Sequence, residues 1–281
     1  MSDFLVSPEW LKEKLGKPGL KVVDASWFLP AQKGDAKAEF LAGHIPGAVH
    51  FDIDAIADRS TDLPHMLPDE TTFAEAVGKL GLTDTDIIVV YDSVGLFSAP
   101  RVWWTLRAFG ARDVRVLDGG LPAWKASGFP LERGEARAAP AHFAAALRKD
   151  MVRDFGAVSA ALASNVATVL DARSAERFRG EAPEPRPGLA SGHMPGARNL
   201  PYERLLGPDG RLLQPDDIRR VVRGTGIDLA RPAITSCGSG VTAALLFLAL
   251  AQIGKEDVAL YDGSWAEWGA RADAQIVTGS E

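Results

Sequence analysis

The sequence of 281 residues contains a single cysteine, Cys237. One cysteine excludes an internal disulfide and fits a reducing compartment. The first ten residues lack the basic and apolar regions of a secretory signal. The longest apolar run, residues 241–253, is too short to cross a bilayer. We therefore expect a cytoplasmic protein with no membrane partner.

A strong charge of either sign is also absent. The net charge of -6 is mild, so we expect no nucleic-acid partner. No Gly-rich phosphate-binding motif occurs, and we expect neither a metal nor an organic cofactor. What is present, 46% hydrophobic and 24% charged residues, is typical of a globular protein, and the length suits two domains of ordinary size.

The sequence contains an internal repeat. A strand-like segment ending in an acidic turn, a Gly-His-x-Pro-Gly-Ala turn and an Asp-Gly segment occur twice in the same order, at 21–26, 43–48 and 118–124, and again at 167–174, 192–197 and 262–268. Repetition at similar offsets indicates one domain written twice. We predict an N-terminal domain over 1–133, a linker over 134–152 and a C-terminal domain over 153–281.

Each copy alternates strand and helix patterns. Alternation of this kind predicts an α/β fold, with two parallel sheets that are each flanked by helices on both faces. The turn histidines His44 and His193 occur in both copies, so the simpler interpretation is that they stabilise the fold. Ser264 is predicted to cap the last helix.

Cys237 lies between a short apolar strand and an apolar helix, in the loop Cys-Gly-Ser-Gly-Val-Thr. This order directs the loop amides and the positive end of the helix at the sulfur, which favours a thiolate. Gly238 and Gly240 let the loop curl and leave its N–H groups uncovered. A buried structural cysteine is the alternative, and the placement favours a reactive one. The aligned residue of the first copy is Asp92, so that copy is predicted to be catalytically silent and to form a wall of the site.

These motifs resemble those of the two-domain rhodanese-type sulfurtransferases, and in particular the branch that uses 3-mercaptopyruvate. The resemblance covers almost the whole chain and implies tandem rhodanese-like domains. It implies that Cys237 is the nucleophile, with Ser239, His65 and Asp54 as a proton relay. It also implies that Arg177 and Arg186 bind the donor carboxylate, beside the loop residues Gly238, Gly240, Val241 and Thr242. Phe97 stands where some relatives carry a tyrosine.

The resemblance also implies the chemistry. Cys237 would take sulfur from 3-mercaptopyruvate, form a persulfide and release pyruvate. A thiol such as thioredoxin, or cyanide, would then accept the sulfur, and the protein would act as a monomer. Thiosulfate-using relatives carry two basic residues after the cysteine, where this chain has Gly238 and Ser239.

Three alternatives were weighed against this interpretation. Thiosulfate sulfurtransferase activity through the same cysteine differs only in donor. A non-enzymatic module that carries a persulfide or senses oxidation would retain the cysteine without needing the arginines. A cysteine phosphatase needs an arginine six positions after the cysteine, where this chain has Ala243, and is excluded.

Overall fold

The computed structural model describes residues 4–29, 32–136 and 138–280. It contains two five-stranded sheets, and every strand pair is parallel. The strand orders are β1-β5-β4-β2-β3 and β6-β10-β9-β7-β8, so the second half of the chain repeats the topology of the first. The predicted fold class is confirmed.

The first half alternates its strands and helices in this order: β1 (Leu5–Val6), α1 (Pro8–Lys14), β2 (Leu20–Asp24), α2 (Ala36–Ala42), β3 (Ala48–His50), α3 (Glu70–Lys79), β4 (Ile87–Tyr91), α4 (Ala99–Ala108), β5 (Asp113–Leu117) and α5 (Gly120–Ala126). The second half follows with β6 (Val152–Arg153), α6 (Phe155–Ser164), β7 (Thr168–Asp171), α7 (Ala175–Arg179), β8 (Arg198–Asn199), α8 (Pro215–Arg223), β9 (Ala233–Ser236), α9 (Ala243–Gln252), β10 (Val258–Tyr261) and α10 (Ser264–Trp268).

Both faces of each sheet are buried. Successive residues of a strand point to opposite faces, and in β4 the side chain of Val89 packs in a different core cluster from Ile88 and Val90. In β7 the same separation holds between Val169 and Leu170. The continuous apolar strands are explained by this two-sided burial.

Helices α4 and α9 join the two halves. The cluster of buried side chains that covers one face of the first sheet continues into the second half through these helices. Trp103 of α4 meets Phe247 of α9 edge to face, with ring centroids 6.0 Å apart. The carboxyl ends of the central strands β4 and β9 lead directly into these helices, so the loops before α4 and α9 lie at the junction.

The described residues of 134–148 form no helix or strand and pack along the first half. The backbone N–H of Ala141 donates to Gly78 O, that of Ala146 to Phe109 O, and that of Arg148 to Ala108 O. The predicted domain boundaries stay a prediction. Within the described ranges, none of the helices has the length and apolar character needed to span a bilayer.

Candidate active site

The loop after β9 holds the cysteine. It runs from Cys237 to Thr242, and α9 begins at Ala243, two residues later than the apolar run suggested. The N–H of Gly240 points at the Cys237 sulfur, 3.1 Å away, and the cysteine is 2% exposed. Gly240 has φ +80, where a side chain is strained. An added Cβ there would also lie 2.7 Å from Arg101 Nη1.

The loop between β4 and α4 of the first half is the counterpart of the cysteine loop, and its backbone N–H groups bind an anion. The Asp92 carboxylate accepts five backbone N–H groups, from Val94 and Gly95 on one oxygen and from Phe97, Ser98 and Ala99 on the other. Burial raises the pKa of Asp92, and these amide bonds oppose that rise. The cradle before α4 is therefore filled by the chain's own carboxylate, whereas the cradle before α9 surrounds a sulfur.

Ser264 does not cap α10, so that prediction is wrong. The helix begins at Ser264 itself, and the preceding residue is Gly263. The Ser264 hydroxyl accepts from the N–H of Cys237 at 3.3 Å and donates to Tyr261 O at 2.9 Å. Two further backbone bonds, from Trp265 N to Cys237 O and from Ala266 N to Gly238 O, fix the cysteine loop on α10.

Arg177 lies against the cysteine loop and is already paired. An added Cβ on Gly238 would meet Arg177 Nη2 at 3.1 Å. The same nitrogen lies 2.5 Å from Glu184 Oε2, and Glu184 is almost fully buried. Arg173, which stacks over Trp265 at 4.0 Å, holds the other Glu184 oxygen at 2.8 Å. Glu184 thus orients Arg177 and offsets its charge.

Arg186 lies near His65 and is not held by a carboxylate as Arg177 is. In the part of the chain that the structure describes, it has no ion pair within 4.0 Å, and its Nη2 lies 3.4 Å from His65 Nε2. Burial lowers the pKa of Arg186, the electrostatic interactions with Cys237, Asp54 and Glu184 raise it, and that with Arg177 lowers it further. Arg186 therefore interacts electrostatically with both Cys237 and Arg177, and this half-buried region favours an anionic ligand.

His65 and Asp54 of the first half are in contact. His65 is buried, and its Nδ1 lies 2.7 Å from Asp54 Oδ1. Trp27 supports both residues, because its Nε1 donates to Asp54 Oδ2 at 2.8 Å and its ring packs edge-on against His65. The hydrogen bond from His65 is the largest cause that holds the pKa of Asp54 below its ordinary value, against the effect of desolvation.

Ser239 is not hydrogen-bonded to His65 in this structure. The serine is buried, and among the described residues its hydroxyl has no hydrogen bond; His65 Nε2 faces Arg186 instead. Two of the three residues of the expected relay are therefore in contact, and the third lies two residues from Cys237. Val241 is buried beside the loop, and Thr242 precedes α9 without capping it through its side chain.

The turn histidines have matching structural contacts. His44 Nδ1 lies 2.8 Å from Phe40 O, and His193 Nδ1 lies 2.8 Å from Phe178 O. Each ring stacks on the phenylalanine that it contacts, and both histidines are fully buried. Equal roles in the two halves agree with a role in the fold.

Comparison with known proteins identifies the family. The model of the rhodanese-like domain matches the chain twice, over residues 7–127 and 155–271. The chain belongs to the rhodanese family. These two matches correspond to the two sheets, and the cysteine loop of this rhodanese lies in the second.

Full-length relatives are sulfurtransferases. The 3-mercaptopyruvate sulfurtransferase of Escherichia coli is 44% identical over 274 residues, which cover 97% of each chain. The thiosulfate sulfurtransferase of Bos taurus is 42% identical over 275 residues, 95% of this chain and 92% of that protein. The crystal structure of SseA from Escherichia coli, one of the 3-mercaptopyruvate sulfotransferases, has a TM-score of 0.87 and 42% identity over 94% of this chain and 99% of its own. This rhodanese is likewise a sulfurtransferase, with a small-molecule sulfur donor and an acceptor.

Sequence reasoning missed two charged residues of this rhodanese site. Arg101 of α4 reaches across to the cysteine loop, and Asp262 accepts its guanidinium at 2.7 Å. The repeated Asp-Gly segment contained Asp262, but no sequence signal marked Arg101, since a helical arginine is normally an exposed residue. Glu184 orients Arg177, and the family resemblance assigned Glu184 no role.

Proposed function

We propose that this rhodanese is a 3-mercaptopyruvate sulfurtransferase, which moves sulfur from 3-mercaptopyruvate to an acceptor through a persulfide on Cys237. The observation that carries the proposal is Arg186, a half-buried guanidinium that has no ion pair within 4.0 Å among the described residues and whose Nη2 lies 3.4 Å from His65 Nε2. A planar guanidinium binds a carboxylate in two places. The carboxylate of 3-mercaptopyruvate supplies that group, and thiosulfate does not.

The donor half-reaction is balanced by one proton. The Cys237 thiolate attacks the donor sulfur, the new S–S bond forms as the carbon–sulfur bond breaks, and the electron pair leaves on the carbon as the enolate of pyruvate. Protonation of that carbon gives pyruvate. Arg177 and Arg186 fix the carboxylate so that the sulfur is presented to Cys237, and such positioning supplies a large part of many rate enhancements.

The amides of the cysteine loop stabilise the negative charge on sulfur before and after transfer. The N–H of Gly240 already lies 3.1 Å from the sulfur. The equivalent loop of the first half, which binds the Asp92 carboxylate through five N–H groups, supports this role. Fixed dipoles of this kind lower the energy of developing charge without reorganisation.

The proton for the leaving enolate comes from His65, oriented by Asp54. The contact of Nδ1 with Asp54 leaves Nε2 directed towards Arg186 and hence towards the bound donor. Ser239 joins this path when the donor is bound, since catalytic hydrogen bonds are often incomplete before substrate binds. A small thiol protein such as thioredoxin, or cyanide, then takes the outer sulfur.

The enzyme is proposed to act as a monomer in the cytoplasm. Both halves of one chain supply the site, with His65 and Asp54 from the first and Cys237 from the second, so no second copy is needed. The single cysteine supports a reducing compartment.

Steady-state kinetics with both donors test the proposal. We expect a higher kcat/KM for 3-mercaptopyruvate than for thiosulfate, and in Arg186→Ala a fall of about 100-fold or more for 3-mercaptopyruvate, the scale of a lost charged hydrogen-bonded pair. Arg179→Ala is the matched control, because Arg179 pairs with Glu181 on the surface. Equal or greater efficiency of the wild type with thiosulfate would contradict the assignment, and absence of a persulfide with either donor would favour a non-enzymatic module.

A further inference from the structure

A buried arginine of the first half connects the two loops that carry the reactive groups. Arg101 has its side chain 2% exposed. Its Nη2 donates to His65 O at 2.5 Å and to Asp262 Oδ1 at 2.7 Å, and its Nη1 donates to Gly240 O at 3.3 Å. One guanidinium thus holds the carbonyl of the proton donor and the carbonyl of the residue whose amide faces the sulfur.

Asp262 extends this connection. Its second oxygen accepts the N–H of Leu67 at 2.8 Å, so the segment around His65 is bound on both sides. Asp262 directly follows β10 and lies two residues before α10, the helix that fixes the cysteine loop. The His65 carbonyl is therefore held by Arg101, the N–H of nearby Leu67 is held by Asp262, and the His65 ring contacts Asp54 and Trp27.

Comparison of the two halves distinguishes contacts that both copies of the fold share from contacts that occur in one copy. Asp118, the counterpart of Asp262, accepts the N–H of Leu212 at 3.0 Å, so the aspartate–amide bond between halves occurs on both sides. The residue nine positions after Asp92 is Arg101, whereas the residue nine positions after Cys237 is Leu246. The arginine is present only on the helix that faces the reactive cysteine loop, which a purely architectural role would not require.

We propose that Arg101 is a positioning residue for sulfur transfer, which holds the His65 loop in register with the Cys237 loop. The proposal rests on the proposed function. Its physical basis is that displacement of a proton donor by about 1 Å costs on the order of 100-fold in rate. The Arg101 side chain is 2% exposed and donates to protein oxygens, so we expect its loss to act on the chemical step and not on donor binding.

Single-turnover kinetics test this proposal. The full chain is mixed with excess 3-mercaptopyruvate, and the burst of pyruvate is measured over a range of donor concentrations, which yields the rate of the chemical step and the donor Kd. The variants are Arg101→Lys, which keeps the charge but loses the fork, and the neutral pair Arg101→Met with Asp262→Asn, which leaves no unpaired buried charge. Asp118→Asn is the matched control, because it neutralises the equivalent aspartate, away from Cys237, in the same way as Asp262→Asn does. Thermal unfolding of every variant monitors the fold, and Arg101→Lys decides the test if the double variant does not fold.

The expected result is a fall of about tenfold or more in the chemical step for both Arg101 variants, with an unchanged donor Kd and no such fall in Asp118→Asn. Adding His65→Asn to the double variant should then lower the rate by less than about threefold, because coupled residues are not additive. Falls no larger than in Asp118→Asn, or a full and independent His65 effect in the double variant, would overturn the proposal. A wild-type protein without a pyruvate burst would contradict the proposed function instead.

Discussion

His65 has a left-handed backbone conformation, and the residue at the equivalent position of the second half is a glycine. It has φ +61, and Gly210, two residues before Leu212 as His65 is before Leu67, has φ +73. A side chain in the left-handed region costs about 1 kcal/mol. Only the half of the repeat that faces Cys237 has a side chain in this strained conformation. This difference argues for a functional reason to place an imidazole there.

His65→Asn tests this residue without changing its backbone, because asparagine tolerates the left-handed region. We expect kcat with 3-mercaptopyruvate to fall by about 100-fold or more, the range for a general acid–base residue, while the melting temperature stays close to that of the wild type. Steady-state kinetics and thermal unfolding measure the two quantities. An unchanged kcat would remove His65 from the mechanism.

Asp54 gives a prediction for pH. Its pKa in the folded protein lies below the ordinary value of 3.8, mainly through the hydrogen bond from His65. Between the two pKa values the unfolded chain binds more protons than the folded one, so the stabilisation from this contact is present above the ordinary pKa and is lost as the pH falls through the lowered one. The free energy of unfolding should therefore fall less between about pH 5 and pH 3 in Asp54→Asn than in the wild type. Denaturant titration at each pH measures this, and parallel pH profiles would contradict it.

The cysteine loop and α9 form the element on which catalysis depends, and Gly240 is its tightest point. Its φ is +80 and an added Cβ would meet Arg101 Nη1 at 2.7 Å. Gly254, just after α9, has φ +83 with no atom within 4 Å of an added Cβ. The two glycines share a conformation and differ in the space around them.

Gly240→Ala should destabilise the protein by more than Gly254→Ala, for which conformational strain alone predicts about 1 kcal/mol. The difference reports the contact with Arg101, and denaturant unfolding of both variants measures it. We also expect persulfide formation to be slower in Gly240→Ala and unchanged in Gly254→Ala. Equal destabilisation by the two substitutions would contradict the close packing described for this loop.

Sequence patterns predicted these elements well where the signal is local. The strand Val258–Tyr261 is a short apolar run and the helix Pro215–Arg223 begins at a proline, so local sequence marks both elements. Ser264 was misjudged, since a serine before a helix normally caps it. Its hydroxyl is used by Cys237 N, a residue distant in sequence, and local patterns do not contain such a contact.

At the scale of the whole molecule, the two halves share one core through α4 and α9. Phe247 is buried and packs on Trp103 of the other half. Phe247→Ala should cost about 3–5 kcal/mol, the range for removing a buried phenylalanine. Val166→Ala is the control, because Val166 is 57% exposed and surface changes stay within about 0.5 kcal/mol. Urea unfolding followed by tryptophan fluorescence measures both, and a small effect of Phe247→Ala would show that the halves are stable without this interface.

The arrangement of the halves was the part that sequence could not supply. The repeat and the family resemblance led to Cys237, Arg186 and the contact of His65 with Asp54. They did not indicate that a helical arginine of the first half, Arg101, turns inwards to the cysteine loop, because that contact exists only after α4 and α9 pack.

Mass spectrometry of the protein after incubation with 3-mercaptopyruvate tests the central claim most directly. We expect a gain of one sulfur atom that maps to the peptide containing Cys237, disappears on addition of a thiol, and is absent in Cys237→Ser. A wild-type protein that releases pyruvate but never carries the extra sulfur on Cys237 would contradict the account.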